Sequence, residues 1–146
     1  MRVFLDTNVV MDYLSGRGDV EATNKLFEGI IDGMFQAYVS TGSFYTLTYL
    51  TERTLKAQGM ANPERLSELR RILTMLLSAL EIVDIRKQEL KDAIEDEGFL
   101  DLEDSYQLQA ARVASCDCLI TDNIKDFPPS DNPYVLKPRD FLKLKI

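Results

Sequence analysis

The chain has 146 residues, with 17 Lys and Arg against 24 Asp and Glu, no His and a net charge of -7. That length fits one domain, spanning 1–146, with room for a proper core. Without His there is no Ser-His-Asp or Cys-His nucleophile and no imidazole acid or base, and the acidity argues against a nucleic-acid binder that works through a broad basic surface. An enzyme that meets phosphate through bound cations, or takes a basic protein partner, stays open. No apolar run approaches the roughly 18 residues a membrane span needs, and no signal-peptide core follows the N-terminus; cytoplasm is the expected location.

In chain order, Val3-Phe4-Leu5 is a short β-prone run stopped by Asp6-Thr7-Asn8, residues that favour turns and N-caps. Val9, Val10, Tyr13 and Leu14 then recur at helical spacing up to Gly16. The unit reads strand, acidic turn, helix, and it places a carboxylate where a strand ends, the edge at which open α/β sheets bind ligands. Asp6 is either a plain N-cap or part of a site; only distant carboxylates meeting it would decide for the site.

A second helical stripe runs through Ala22, Leu26, Phe27, Ile30, Ile31 and Met34. Ala37-Tyr38-Val39 reads as a strand, and Ser40 or Thr41 caps a helix reaching about Gly59. Tyr45 and Tyr49 share one side of it, a spacing more often used for packing than for stacking bases. Asn62-Pro63-Glu64 starts the clearest amphipathic helix, from Leu66 to Leu80. Ile82 to Ile85 is a strand and Lys87 to Glu95 a polar helix.

The segment Asp96 to Asp104 is dense in acids and opens a helix with Tyr106, Ala110 and Val113 on one face. Asp101 and Asp104 share its first turn, where acids cap and complement the helix dipole. Cys116 and Cys118, the only cysteines, are expected reduced and buried, pointing to one face of the strand that runs through Ile120. Thr121 to Pro129 is a turn rich in acids and amides, Tyr134-Val135-Leu136 a last strand, and Pro138 to Leu142 a short helix. Strands alternating with helices predict a parallel sheet covered on both faces, an α/β fold.

If the first and fourth strands are parallel, Asp6 and the Asp122 to Asp126 turn leave one edge of the sheet. A simple crossover helix beginning near Asp101 is expected to start on the opposite edge, unless the loop after Gly98 brings its acids up beside Asp6. Carboxylates meeting there would repel and need a cation. Hard oxygen ligands suit Mg²⁺ or Mn²⁺, and such a site polarises a phosphodiester and activates water.

Phe4-Leu5-Asp6-Thr7-Asn8, then Leu102-Glu103-Asp104-Ser105, then Ile120-Thr121-Asp122-Asn123-Ile124-Lys125-Asp126-Phe127 closely resemble the PIN-domain ribonucleases. The VapC-like toxins of bacterial and archaeal toxin–antitoxin pairs are the nearest kind. The resemblance covers nearly the whole chain in order. It implies a three-layer α/β/α sandwich with a central parallel sheet, a divalent-metal endoribonuclease acting on RNA, frequent homodimers and an antitoxin partner.

Carried over by position, Asp6 would be the first metal ligand and Asp104 the second, with Asp126, assigned as a further ligand, and Asn123 completing the acidic pocket. Asp101 becomes an outer member or a cap, and Thr7 and Asn8 would orient Asp6. Two departures stand out. Thr46 occupies the place where the family commonly has Glu, which puts a second metal in doubt, and position 122, often basic in relatives, is Asp. A PIN-like module that has lost its chemistry and binds RNA or protein is the alternative, and a phosphotransfer domain with Asp6 as nucleophile is a more distant one.

Overall fold

The computed structural model describes residues 1–144; Lys145 and Ile146, the end of the single domain expected over 1–146, lie outside the described residues. The chain runs β1 (Arg2–Leu5), α1 (Thr7–Ser15), α2 (Val20–Ile31), β2 (Gln36–Ser40), α3 (Thr41–Ala57), α4 (Glu64–Ala79), β3 (Glu81–Val83), α5 (Lys87–Glu95), α6 (Leu102–Val113), β4 (Cys118–Ile120), a 3-10 turn (Ile124–Asp126), β5 (Tyr134–Leu136) and α7 (Pro138–Phe141). The five strands form one parallel sheet in the order β3-β2-β1-β4-β5. β1 lies at its centre, and Val3, Phe4 and Leu5 are fully buried, as an apolar run buried on both faces requires.

The alternation of side chains along the strands builds two cores. Val3, Leu5, Val39 and Ile120 pack with Val10 of α1, Phe27 of α2, Leu47 of α3, Leu76 of α4 and Phe141 of α7. On the other face, Phe4 and Leu119 pack with Leu108 and Ala111 of α6, Phe99 and Phe127. Helices thus cover both faces, and the result is the expected α/β/α sandwich. Among the described residues no helix is long and apolar enough to cross a membrane.

Several expectations need correction. Cys116 and Cys118 are free and buried, but they do not share a face. Cys116 precedes β4 and packs in the α6 core, whereas Cys118, inside the strand, faces the other. Period-2 alternation holds only within an extended strand, and the chain is still turning at Cys116. Met34 lies beyond the end of α2 and is exposed. Tyr45 and Tyr49 are not packed at all, being 71% and 65% exposed.

A further correction concerns α6. A crossover helix runs antiparallel to the strands it joins, so a helix feeding the start of β4 begins at the carboxyl edge of the sheet. That is the edge from which Asp6 leaves, not the opposite one. The first turn of α6 faces Asp6 because of the crossover, and α5 holds it there: the buried Ser105 hydroxyl donates to the Ala93 carbonyl at 2.8 Å.

Candidate active site

From β1 the chain moves outward to β2, and from β4 it moves outward to β5 on the other side. The adjacent carboxyl ends of these two strands therefore frame the switch-point crevice of the sheet. Asp6 continues β1 into this crevice, its amide donating to the Ile120 carbonyl at 2.9 Å. It occupies the N-cap position of α1, yet its carboxylate makes no capping bond.

The carboxylate is instead gripped from elsewhere in the sequence. The Thr121 hydroxyl at the end of β4 donates to Asp6 Oδ2 at 2.7 Å, and Asn8 Nδ2 donates to the same oxygen at 3.2 Å. Thr121 Oγ1 in turn accepts the Asn123 amide at 3.1 Å, so the acidic turn after β4 is tied to Asp6 through one hydroxyl. Asp6 is only 3% exposed. Burial raises its pKa, opposed by the hydrogen bonds of Thr121 and Gln107 and by the nearby amides of Thr7 and Asn8.

A cavity of about 610 Å³ opens over Asp6 and is lined by Asp101, Glu103, Asp104, Asn123 and Asp126 as well. The five residues expected from the sequence, Asp6, Asp101, Asp104, Asn123 and Asp126, all line this one cavity. Asp101 holds two positions at once: it lines the cavity and caps α6, accepting the Glu103 amide at 2.9 Å. Asp126 is exposed on the 3-10 turn. Asp122 lies outside the cavity, half-buried against Asp12. Burial first, then sharing with Asp12, pushes its carboxyl up to about 6.

The mutual repulsion is strongest at Asp104. Its carboxyl is pushed up to about 7, by burial first and then by the charges of Asp6, Asp101, Asp126 and Glu103. Burial, followed by Asp101 and Asp6, also raises Glu103. The carboxylates share one cavity, but among the described residues no three acidic, Cys or His side chains stand close enough together to hold an ion as they are placed.

The donor set itself suits a hard dication. It is made of carboxylate and amide oxygens on a partly dehydrated wall, the buried Asp6 carboxylate among them. Asp104 is half-buried and Asp126 exposed, so both side chains have space to turn toward Asp6.

Two lining residues, Glu103 and Gln107, were not singled out from the sequence. Gln107 carried a usable signal, since it follows Asp104 by three positions and so shares its face of α6. Arg17 and Arg53 also line the cavity, with Thr46 and Thr54. Among the described residues they supply its only positive charge and a place for a phosphate in the same cavity as the acids; Lys56 is not part of it.

The PIN domain model matches residues 2–125 of the chain. The chain belongs to the PIN domain family. Among solved structures it is similar to VapBC2 from Rickettsia felis bound to a DNA fragment from their promoter, with a TM-score of 0.65 and 21% identity over 94% of this chain and 98% of that one. No curated protein matches it in sequence. In this PIN domain the Thr121 hydroxyl is the link between the two halves of the crevice. Thr121→Val leaves the Asn123 amide and the Asp6 carboxylate each short of a partner. The expected loss is about 1–3 kcal/mol of stability at pH 7, read by urea unfolding.

Proposed function

We propose that this PIN domain is a divalent-metal-dependent endoribonuclease, acting as a single-domain cytoplasmic toxin whose partner is an antitoxin. The observation that carries the reading is the convergence of Asp6, Asp101, Glu103, Asp104 and Asp126 on one cavity at the sheet switch point, which Arg17 and Arg53 also line. A cluster of like charges with arginines in the same cavity fits an ion-assisted reaction on a phosphodiester. The likeness to VapBC2, a toxin with its antitoxin, supports the partner, and the family resemblance supports a homodimer.

Asp6, Asp104 and Asp126 would hold the cation. When bound, Mg²⁺ or Mn²⁺ would polarise the phosphate and lower the pKa of water. Asp6 is fixed by Thr121, Asn8 and Gln107 and provides the rigid carboxylate. Asp104 would hold the cation through one carboxylate oxygen and leave the other to accept a proton from the attacking water. Arg17 and Arg53 would orient the phosphate from the same cavity. Water adds to phosphorus, one P–O ester bond breaks, and the departing oxygen takes a proton.

One observation favours a second reading, a PIN-like module that binds RNA or protein without cleaving. Thr46 stands on the cavity wall where the family commonly has Glu, and it donates only to the Gly42 carbonyl of its own helix, at 3.3 Å. Calorimetric titration with Mn²⁺ and cleavage of a mixed single-stranded RNA separate the two. The nuclease reading expects saturable binding, cleavage in Mg²⁺ or Mn²⁺ and none after EDTA. No saturable binding and no cleavage would leave the binding module.

A further inference from the structure

We propose that a second cavity beside the first is a subsite for one unpaired nucleobase of the RNA, next to the scissile phosphate, and that it prefers a base carrying an exocyclic amine. This subsite rests on the reading of RNA as the ligand proposed above. The cavity measures about 450 Å³ and shares Thr46, Glu103 and Gln107 with the first, so a single nucleotide can place its phosphate in one and its base in the other. Its volume falls in the range of small-ligand sites.

The chemistry of the two cavities is different. Arg17 and Arg53 line the first, but among the described residues no Lys or Arg lines the second. A phosphate therefore belongs in the first and an uncharged group in the second. Ile85 and Leu90 give apolar walls, and Tyr106 supplies an aromatic ring of the kind on which unpaired RNA bases stack.

The polar groups there are acceptors. Asp84 takes the Thr41 hydroxyl on one oxygen and keeps a second for a ligand. Gln107 is 3% exposed; it is hydrogen-bonded with Asp6, and its Oε1 is left without a partner. A buried acceptor without a donor costs about 1–3 kcal/mol, and an amine N–H of adenine, cytosine or guanine would satisfy it. Uracil has no exocyclic amine; its one donor, N3–H, is flanked by two carbonyl oxygens that these acceptors would repel. Thr46 matters here as well. With a small hydroxyl in place of the family's Glu, Thr46 adds neither bulk nor charge to the wall between the cavities, where Glu103 supplies a further carboxylate acceptor.

The test uses oligouridylate ten-mers with one central A, C, G or U, assayed for cleavage by the full chain in Mn²⁺. Binding to the Asp6→Asn chain is followed in parallel by fluorescence anisotropy. The expected result is about tenfold preference for each amine-bearing centre over uracil in binding, with cleavage next to that nucleotide. Asp84→Asn should level the preference to about twofold. Tyr106→Leu should weaken binding of the A, C and G oligomers about tenfold, and Tyr106→Phe should restore it.

Equal binding and cleavage of all four oligomers would overturn the subsite and leave the nuclease reading standing. A binding preference with no cleavage of any oligomer by the full chain would keep the subsite and remove the nuclease. Loss of binding in Tyr106→Phe equal to that in Tyr106→Leu would also count against stacking.

Discussion

Asp6→Asn is expected to lower RNA cleavage on the order of a thousandfold without unfolding the protein. Losing partners that only orient a metal ligand costs about 10- to 100-fold, and Asp6 is itself the central carboxylate of the proposed site. The substitution keeps the volume of a side chain that is 97% buried. The Thr121 hydroxyl, now at 2.7 Å from Oδ2, can still donate to the amide oxygen, and Gln107 can turn its free Oε1 toward the new N–H. Burial already raises the Asp6 pKa, so removing the charge imposes no electrostatic loss on the fold. Cleavage assays alongside far-UV circular dichroism and a thermal melt check both halves. Full activity in a folded Asp6→Asn protein would end the mechanism.

Asp104→Asn should produce the opposite pairing, lost activity with gained stability in metal-free protein. The folded-state pKa of Asp104, about 7, is above its ordinary value of 3.8. The folded state therefore binds the proton more tightly than the unfolded chain does. This contribution to stability is fully present below pH 3.8 and is lost as pH rises through 7. The side chain is only half-buried, so solvent screening limits the effect to about 1–2 kcal/mol, or about 3–6 °C in melting temperature.

In EDTA, the melting temperature of Asp104→Asn should exceed that of the native chain by this margin at pH 8, and the gap should close toward pH 4. Divalent cation should narrow it again at pH 8, because a ligand that binds the folded carboxylates stabilises the native chain more. A gap that ignores pH, or a variant less stable at pH 8, would show that Asp104 is not under this repulsion.

Much of this was written locally. The apolar run Val3-Phe4-Leu5 and the turn after it place Asp6 at a strand end, and Asp101 as a cap is legible from its position before Leu102. Local patterns also located the strands and helices, because period 2, period 3.6 and capping residues act over a few neighbours. They say which face of an element is apolar, but not whether another element arrives to cover it. Tyr45 and Tyr49 share a helical face that stays largely exposed among the described residues.

The amino-acid sequence by itself determined the α/β class, the strand-end position of Asp6 and the set of acids and amides available to a site. Only the tertiary structure decided which of them meet. The order β3-β2-β1-β4-β5 makes β1 and β4 neighbours, so Thr121, 115 residues away, reaches Asp6. The antiparallel run of α6 brings Asp104 and Gln107 to the same edge, while Asp122, one residue after Thr121, turns to Asp12 outside the cavity. Pairing between distant strands depends on the burial of whole faces rather than on neighbouring residues, and no local pattern encodes it.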